Sequence, residues 1–84
     1  DKMRIAKTLD DLPVGTQVHI YEHRFGEPKT RKGIVVENST ATEYELAGIT
    51  ILLSDTSLFG LEELDMDFIR RGGMDMEIRI VEIK

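Results

Sequence analysis

The stretch Gln17-Val18-His19-Ile20-Tyr21-Glu22-His23-Arg24 decides the fold class, because its residues alternate with the two-residue period of a strand. Val18 and Ile20 fall on one face, and His19, Tyr21 and His23 on the other. It follows Pro13-Val14-Gly15-Thr16, whose proline and glycine supply turn chemistry. Phe25-Gly26-Glu27-Pro28-Lys29 then breaks the pattern, and Thr30 to Glu37 is again extended through Ile34, Val35 and Val36. Two such runs joined by a short break define a long hairpin.

Working outward, Leu9 to Thr16 is a turn that delivers the chain into the first hairpin strand, and Asn38 to Thr42 is a small polar loop. Glu43 to Ser54 returns to strand character, with Tyr44, Leu46, Ile49, Ile51 and Leu53 placed around Ala47-Gly48, where the glycine predicts a bulge or bend. Met74, Met76, Ile78 and Ile80 alternate with Asp75, Glu77 and Arg79 in a last strand. Asp55 to Arg71 carries two periods at once. Leu58, Leu61, Leu64 and Phe68 make a helical stripe stopped by Gly72-Gly73, while Leu64, Met66 and Phe68 alternate as in a strand. The reading adopted is a short helix near residues 57 to 65 passing into extended chain.

These elements predict a mainly β fold: a small SH3-like antiparallel barrel of four or five strands with one short helix or helical turn. An α+β open sheet with one covering helix is the alternative. The expected core is Val18, Ile20, Ile34, Val36, Leu46, Ile49, Ile51, Leu53, Ile78 and Ile80.

With 84 residues, 40% of them apolar, the chain has material for one core, so residues 3 to 84 are read as a single domain. Asp1-Lys2 precede a Met3 that resembles a native start and are read as a tag remnant. No apolar run approaches the length of a membrane span or a secretory signal, which predicts a cytoplasmic protein without a membrane partner. The absence of cysteine excludes disulfides, thiolate metal sites and a cysteine nucleophile. A net charge of -5 disfavours broad adhesion to nucleic acid, which selects basic surfaces.

His19-Ile20-Tyr21-Glu22-His23 matches the H-x-x-E-H pattern of a zinc peptidase, whose two histidines must share one helix face. On a strand they stand roughly 13 Å apart, so the pattern carries no metal chemistry here. Asp65 and Asp67, near Glu62, Glu63 and Asp55, suggest a divalent-cation site only if they converge, and read more simply as solvated acids. Asn38-Ser39-Thr40 matches a glycosylation acceptor but reads as a turn. No serine elbow or phosphate-binding glycine loop is present, so neither an enzyme nor a cofactor is expected.

Two charged features remain. Arg24, Phe25, Lys29, Arg31 and Lys32 form a basic hairpin tip in an otherwise acidic chain and are expected to contact a partner. Glu62, Glu63, Asp65 and Asp67 form a secondary acidic surface. The expected function is a small non-catalytic binding or regulatory module acting through protein-protein contacts, such as an accessory or inhibitor protein of a bacterium or phage. The alternative is a nucleic-acid or nucleotide-binding small barrel that uses the basic hairpin. Phe59, Met66, Met74 and Met76 suggest surface available for a homodimer.

Overall fold

The computed structural model of the chain describes residues 2 to 24 and 26 to 82, with Lys2 and Arg24 described in their backbone alone. The elements in chain order are β1 (Lys2–Ile5), a 3-10 turn (Leu9–Asp11), β2 (Gln17–Arg24), β3 (Glu27–Ser39) and β4 (Gly48–Leu53). β5 (Leu58–Glu62), α1 (Glu63–Arg70), a second 3-10 turn (Gly73–Asp75) and β6 (Met76–Glu82) follow. The six strands form one antiparallel sheet in the order β1-β6-β2-β3-β4-β5. The fold is mainly β with one helix. The sheet is not closed into a barrel, and there are six strands rather than four or five: β1 and β5 are its two edges.

Strand alternation sorts the side chains into a covered and an uncovered face. Val18 pairs with Ile80 and Gly33, Ile20 with Ile78 and Arg31, Val35 with Ile51, and Ile51 with Phe59. These residues face α1, which contributes Met66 and Ile69, and the first 3-10 turn, which contributes Leu9 and nearby Leu12. Ile20, Ile51 and Ile78 are completely buried. Gly33 lies beneath them for lack of room: a Cβ there would sit 2.7 Å from Ile51 Cγ2 and 2.7 Å from the Leu52 carbonyl.

The turn that covers the core is tied down at both ends. Asn38 Nδ2 donates to the Leu9 carbonyl at 3.0 Å and to the Leu12 carbonyl at 2.7 Å, reaching across from β3. Asp11 Oδ2 accepts the backbone N–H of Lys7 at 2.9 Å and of Thr8 at 3.2 Å. Those amides, the Lys7 amide foremost, hold the Asp11 carboxyl below its ordinary range. Asn38 therefore lies in a strand with its amide engaged, where the polar pattern predicts a turn.

Three expectations about the core need correction. The pattern predicts Ile34 and Val36 inward, yet Val35 is the buried residue of that run and Val36 is exposed. A one-residue change of phase transfers every side chain to the opposite face. The strand also bulges between Val35 and Glu37, so the bend falls there rather than at Gly48. Leu46 is 58% exposed because residues 40 to 47 leave the sheet before β4 begins.

The predicted order of helix and strand after Ser57 is reversed. Residues 58 to 62 pair with β4 because Phe59 and Leu61 supply a covered-face alternation, and the helix starts only at Glu63. Asp65 Oδ2 accepts the Glu62 N–H at 2.8 Å and fixes that start. Gly72, at φ 88°, donates to the Ile69 carbonyl at 3.0 Å and stops the helix, as Gly72-Gly73 predicts. The apolar stripe is not the predicted one: Met66 and Ile69 face inward, while Leu64 and Phe68 are exposed.

Candidate functional site

The face of the sheet opposite α1 has no element laid over it among the described residues. The strand registers align one row across all six strands: Met3 beside Val81, Gln17 beside Ile34, Ile34 beside Leu52, and Leu52 beside Leu58. Val81 is followed by Gln17, because Ile80 pairs with Val18 one position along. Five of the six positions are apolar, on the side that strand alternation in a half-solvated sheet reserves for polar residues. Met3, Leu52 and Leu58 are exposed, and Ile34 and Val81 half-buried.

A second row, one alternation along, is basic. Ile5 pairs with Arg79, Arg79 with His19, and His19 with Lys32. Arg79 is fixed in place: its guanidinium carbon lies 4.2 Å from the centroid of the Tyr21 ring, and its NH2 group lies 2.8 Å from Glu77 Oε2. Lys32 and His19 extend the same row toward β4. On the far side of the apolar row, Glu37 pairs with Thr50, giving the face an acid at its other margin.

The structure divides the predicted hairpin site between the two sheet faces. Lys32 stands on the uncovered face. Arg31 turns inward, where it meets the buried Glu22 carboxylate and lies 5.0 Å from the Phe59 ring centroid. Lys29 is exposed and pairs with Glu22, so it belongs to the Arg31 side. Arg24 ends β2 with its side chain outside the described residues, and Phe25 lies outside them altogether.

The acidic residues also have separate surroundings. Asp65 caps α1, and Asp67 pairs with Arg70 and, at 3.1 Å, with Arg71. Glu62 precedes the helix and Glu63 opens it, both exposed. Among the described residues no three His, Asp or Glu side chains gather as a cation site would require. His19 and His23 lie on one strand, as its alternation predicts. Met66 and Met76 are buried in the core, so they offer no surface to a second copy.

Two clefts flank α1. One, of about 610 Å³, opens where β1 ends beside β6 and brings together Tyr21, His23, Asp75, Glu77 and Arg79. The other, of about 540 Å³, lies between the first 3-10 turn and α1, lined by Leu9, Leu46, Leu64 and Met66 with Lys7 and Glu63 at its margin. Both have walls of mixed charge. No described helix is long and apolar enough to cross a membrane.

The uncovered row was missed by sequence reasoning because its members come from six separate segments. The local signal was Leu52, an apolar residue in the outward phase between the buried Ile51 and Leu53. In comparison with family models, curated proteins and solved structures, the chain matches none.

Proposed function

We propose that this chain is a non-catalytic binding module that holds a protein partner against the uncovered face of its sheet. The observation that carries this reading is the row Met3, Val81, Gln17, Ile34, Leu52 and Leu58, whose apolar members no element of the chain covers. Leaving such a row in water forgoes roughly 25 cal/mol per Å² of apolar surface, which a partner would recover on docking. Contiguous apolar rows bordered by charge are characteristic of interaction sites.

The margins specify the chemistry of the partner. Lys32 borders the row on one side and Glu37 on the other, so a surface presenting an apolar strip with a carboxylate along the Lys32 margin is its complement. Of the basic hairpin, Lys32 is then the member best placed to steer association, and Arg31 acts in the fold. Nucleic acid is less well suited, because Arg79 and Glu77 already engage each other and Arg79 covers Tyr21, the ring on which a base would stack.

The reading is tested by Leu52→Lys, which places a charge in the middle of the row without touching the core. It should abolish capture of the partner while leaving the melting temperature close to that of the parent. Undiminished capture by Leu52→Lys would remove the uncovered face as the site.

A further inference from the structure

The two edges of the sheet are protected unequally. β1 is four residues long and contains Arg4, a charge of the kind that discourages a further strand. β5, Leu58-Phe59-Gly60-Leu61-Glu62, has no lysine and no proline, and it pairs with β4 in unbroken register. Its conformation is set in advance by a tight turn. Asp55 Oδ1 accepts both the Ser57 N–H at 2.9 Å and the Ser57 hydroxyl at 2.5 Å, and the Ser57 carbonyl accepts the Leu53 N–H at 2.9 Å.

Backbone directions follow from the bonds at either end of β5. Leu53 N–H donates to Ser57, and Glu63 N–H donates to the Ala47 carbonyl at 3.0 Å, so the odd-numbered residues turn their peptide groups toward β4. Those of Leu58, Gly60 and Glu62 therefore point away from the sheet. The Glu62 N–H is engaged by Asp65. Both groups of Leu58 and both groups of Gly60 remain directed at the edge, whereas the Glu62 carbonyl, at the N-cap of α1, accepts the first bond of the helix.

Gly60 itself has no cause within the single chain. Its φ is not positive, and a Cβ there would meet only the Ile49 carbonyl at 3.9 Å. Glycine weakens a strand interior and marks places where another backbone comes close. We propose that β5 pairs with β5 of a second copy, antiparallel, about a twofold axis at Gly60. In this register the Gly60 N–H of each copy donates to the Gly60 carbonyl of the other. The Glu62 N–H, held by Asp65, and the Glu62 carbonyl, which opens α1, take no part in the pairing.

The side chains agree with this register. Phe59 of one copy falls beside Leu61 of the other on the covered face, so the two cores become continuous through aromatic-aliphatic cross-strand pairs. Glycine meets glycine at the axis. Leu58 falls beside Glu62 on the uncovered face. A foreign strand would need to reproduce this match, whereas a second copy supplies it by symmetry. The pairing is independent of what docks on the uncovered face.

Sedimentation velocity from low to high micromolar concentration tests the pairing, with hydrogen exchange followed at the Gly60 amide. The parent should pass from the chain mass to twice that mass, and exchange at Gly60 should slow as it does so. Gly60→Pro removes an N–H that β4 does not use, and Leu58→Lys adds a charge to the edge. Each should weaken dimerisation at least about tenfold with a parent-like circular dichroism spectrum. Should Gly60→Pro misfold, Leu58→Lys decides alone. A parent that stays monomeric throughout, or β5 variants that dimerise like the parent, would overturn the proposal. So would loss of the dimer in Leu52→Lys alone, which would place the second copy on the uncovered face.

Discussion

Glu22 and Arg31 meet on the covered side of β2 and β3, where the Arg31 guanidinium also lies 5.0 Å from the ring of Phe59. Glu22 is the buried charged residue among the described side chains, and Arg31 donates to it from the neighbouring strand. Of the hairpin cations, Arg31 thereby supports the fold and Lys32 faces outward on the uncovered face.

Arg31→Glu should accordingly be strongly destabilising. It replaces an ion pair by two like charges in a part-buried position, and loss of one partner of a buried pair costs about 3 kcal/mol or more. Lys32→Glu, a surface change, should stay within about 0.5 kcal/mol of the parent. Chemical denaturation of both variants separates the two roles. Equal stability in Arg31→Glu and the parent would show that the pair does no structural work.

The core assignment gives a second contrast. Ile51 and Ile78 are wholly buried on the covered face, and truncating either to alanine should cost about 2 to 5 kcal/mol through lost burial and a residual cavity. Leu46→Ala should cost less, because its side chain is more than half exposed. Thermal melts of the three variants check the placement of the sheet faces.

Most of the sheet was legible where one strand alternates cleanly. Val18 and Ile20 in β2, and Ile78 and Ile80 in β6, take the predicted inward positions. The run Ile34-Val35-Val36 has no alternation to read, so its phase is set by neighbours: Val35 packs against Ile51, and the bulge takes up Val36. The boundary at residue 62 depends on one side-chain bond, from Glu62 N–H to Asp65, which competes with an equally good helical stripe upstream. The local sequence groups Arg31 with an exposed tip because the partner that draws it inward, Glu22, lies on the other strand of the hairpin. The uncovered row required all five strand pairings at once.

Asp11 makes the stability of the covering turn depend on pH. Its folded carboxyl is held below the ordinary range by the amides of Lys7 and Thr8, so the charged form is favoured in the native state. That contribution is present above the unfolded value, near pH 4, and is lost as pH falls through the lower folded value. Asp11→Asn should therefore melt below the parent at neutral pH, and the gap should close in acid. A gap of constant size across the acid range would mean that the charge of Asp11 is irrelevant to the turn.

The central claim is that the uncovered face is the contact surface, and parallel capture from a native host extract tests it most directly. The parent, Leu52→Lys on the uncovered face and Leu64→Lys on the exposed side of α1 would be compared at matched folded concentration. The account predicts a protein retained by the parent and by Leu64→Lys and lost from Leu52→Lys. Retention by Leu52→Lys with loss from Leu64→Lys would contradict it and place the partner on the helix side of the molecule.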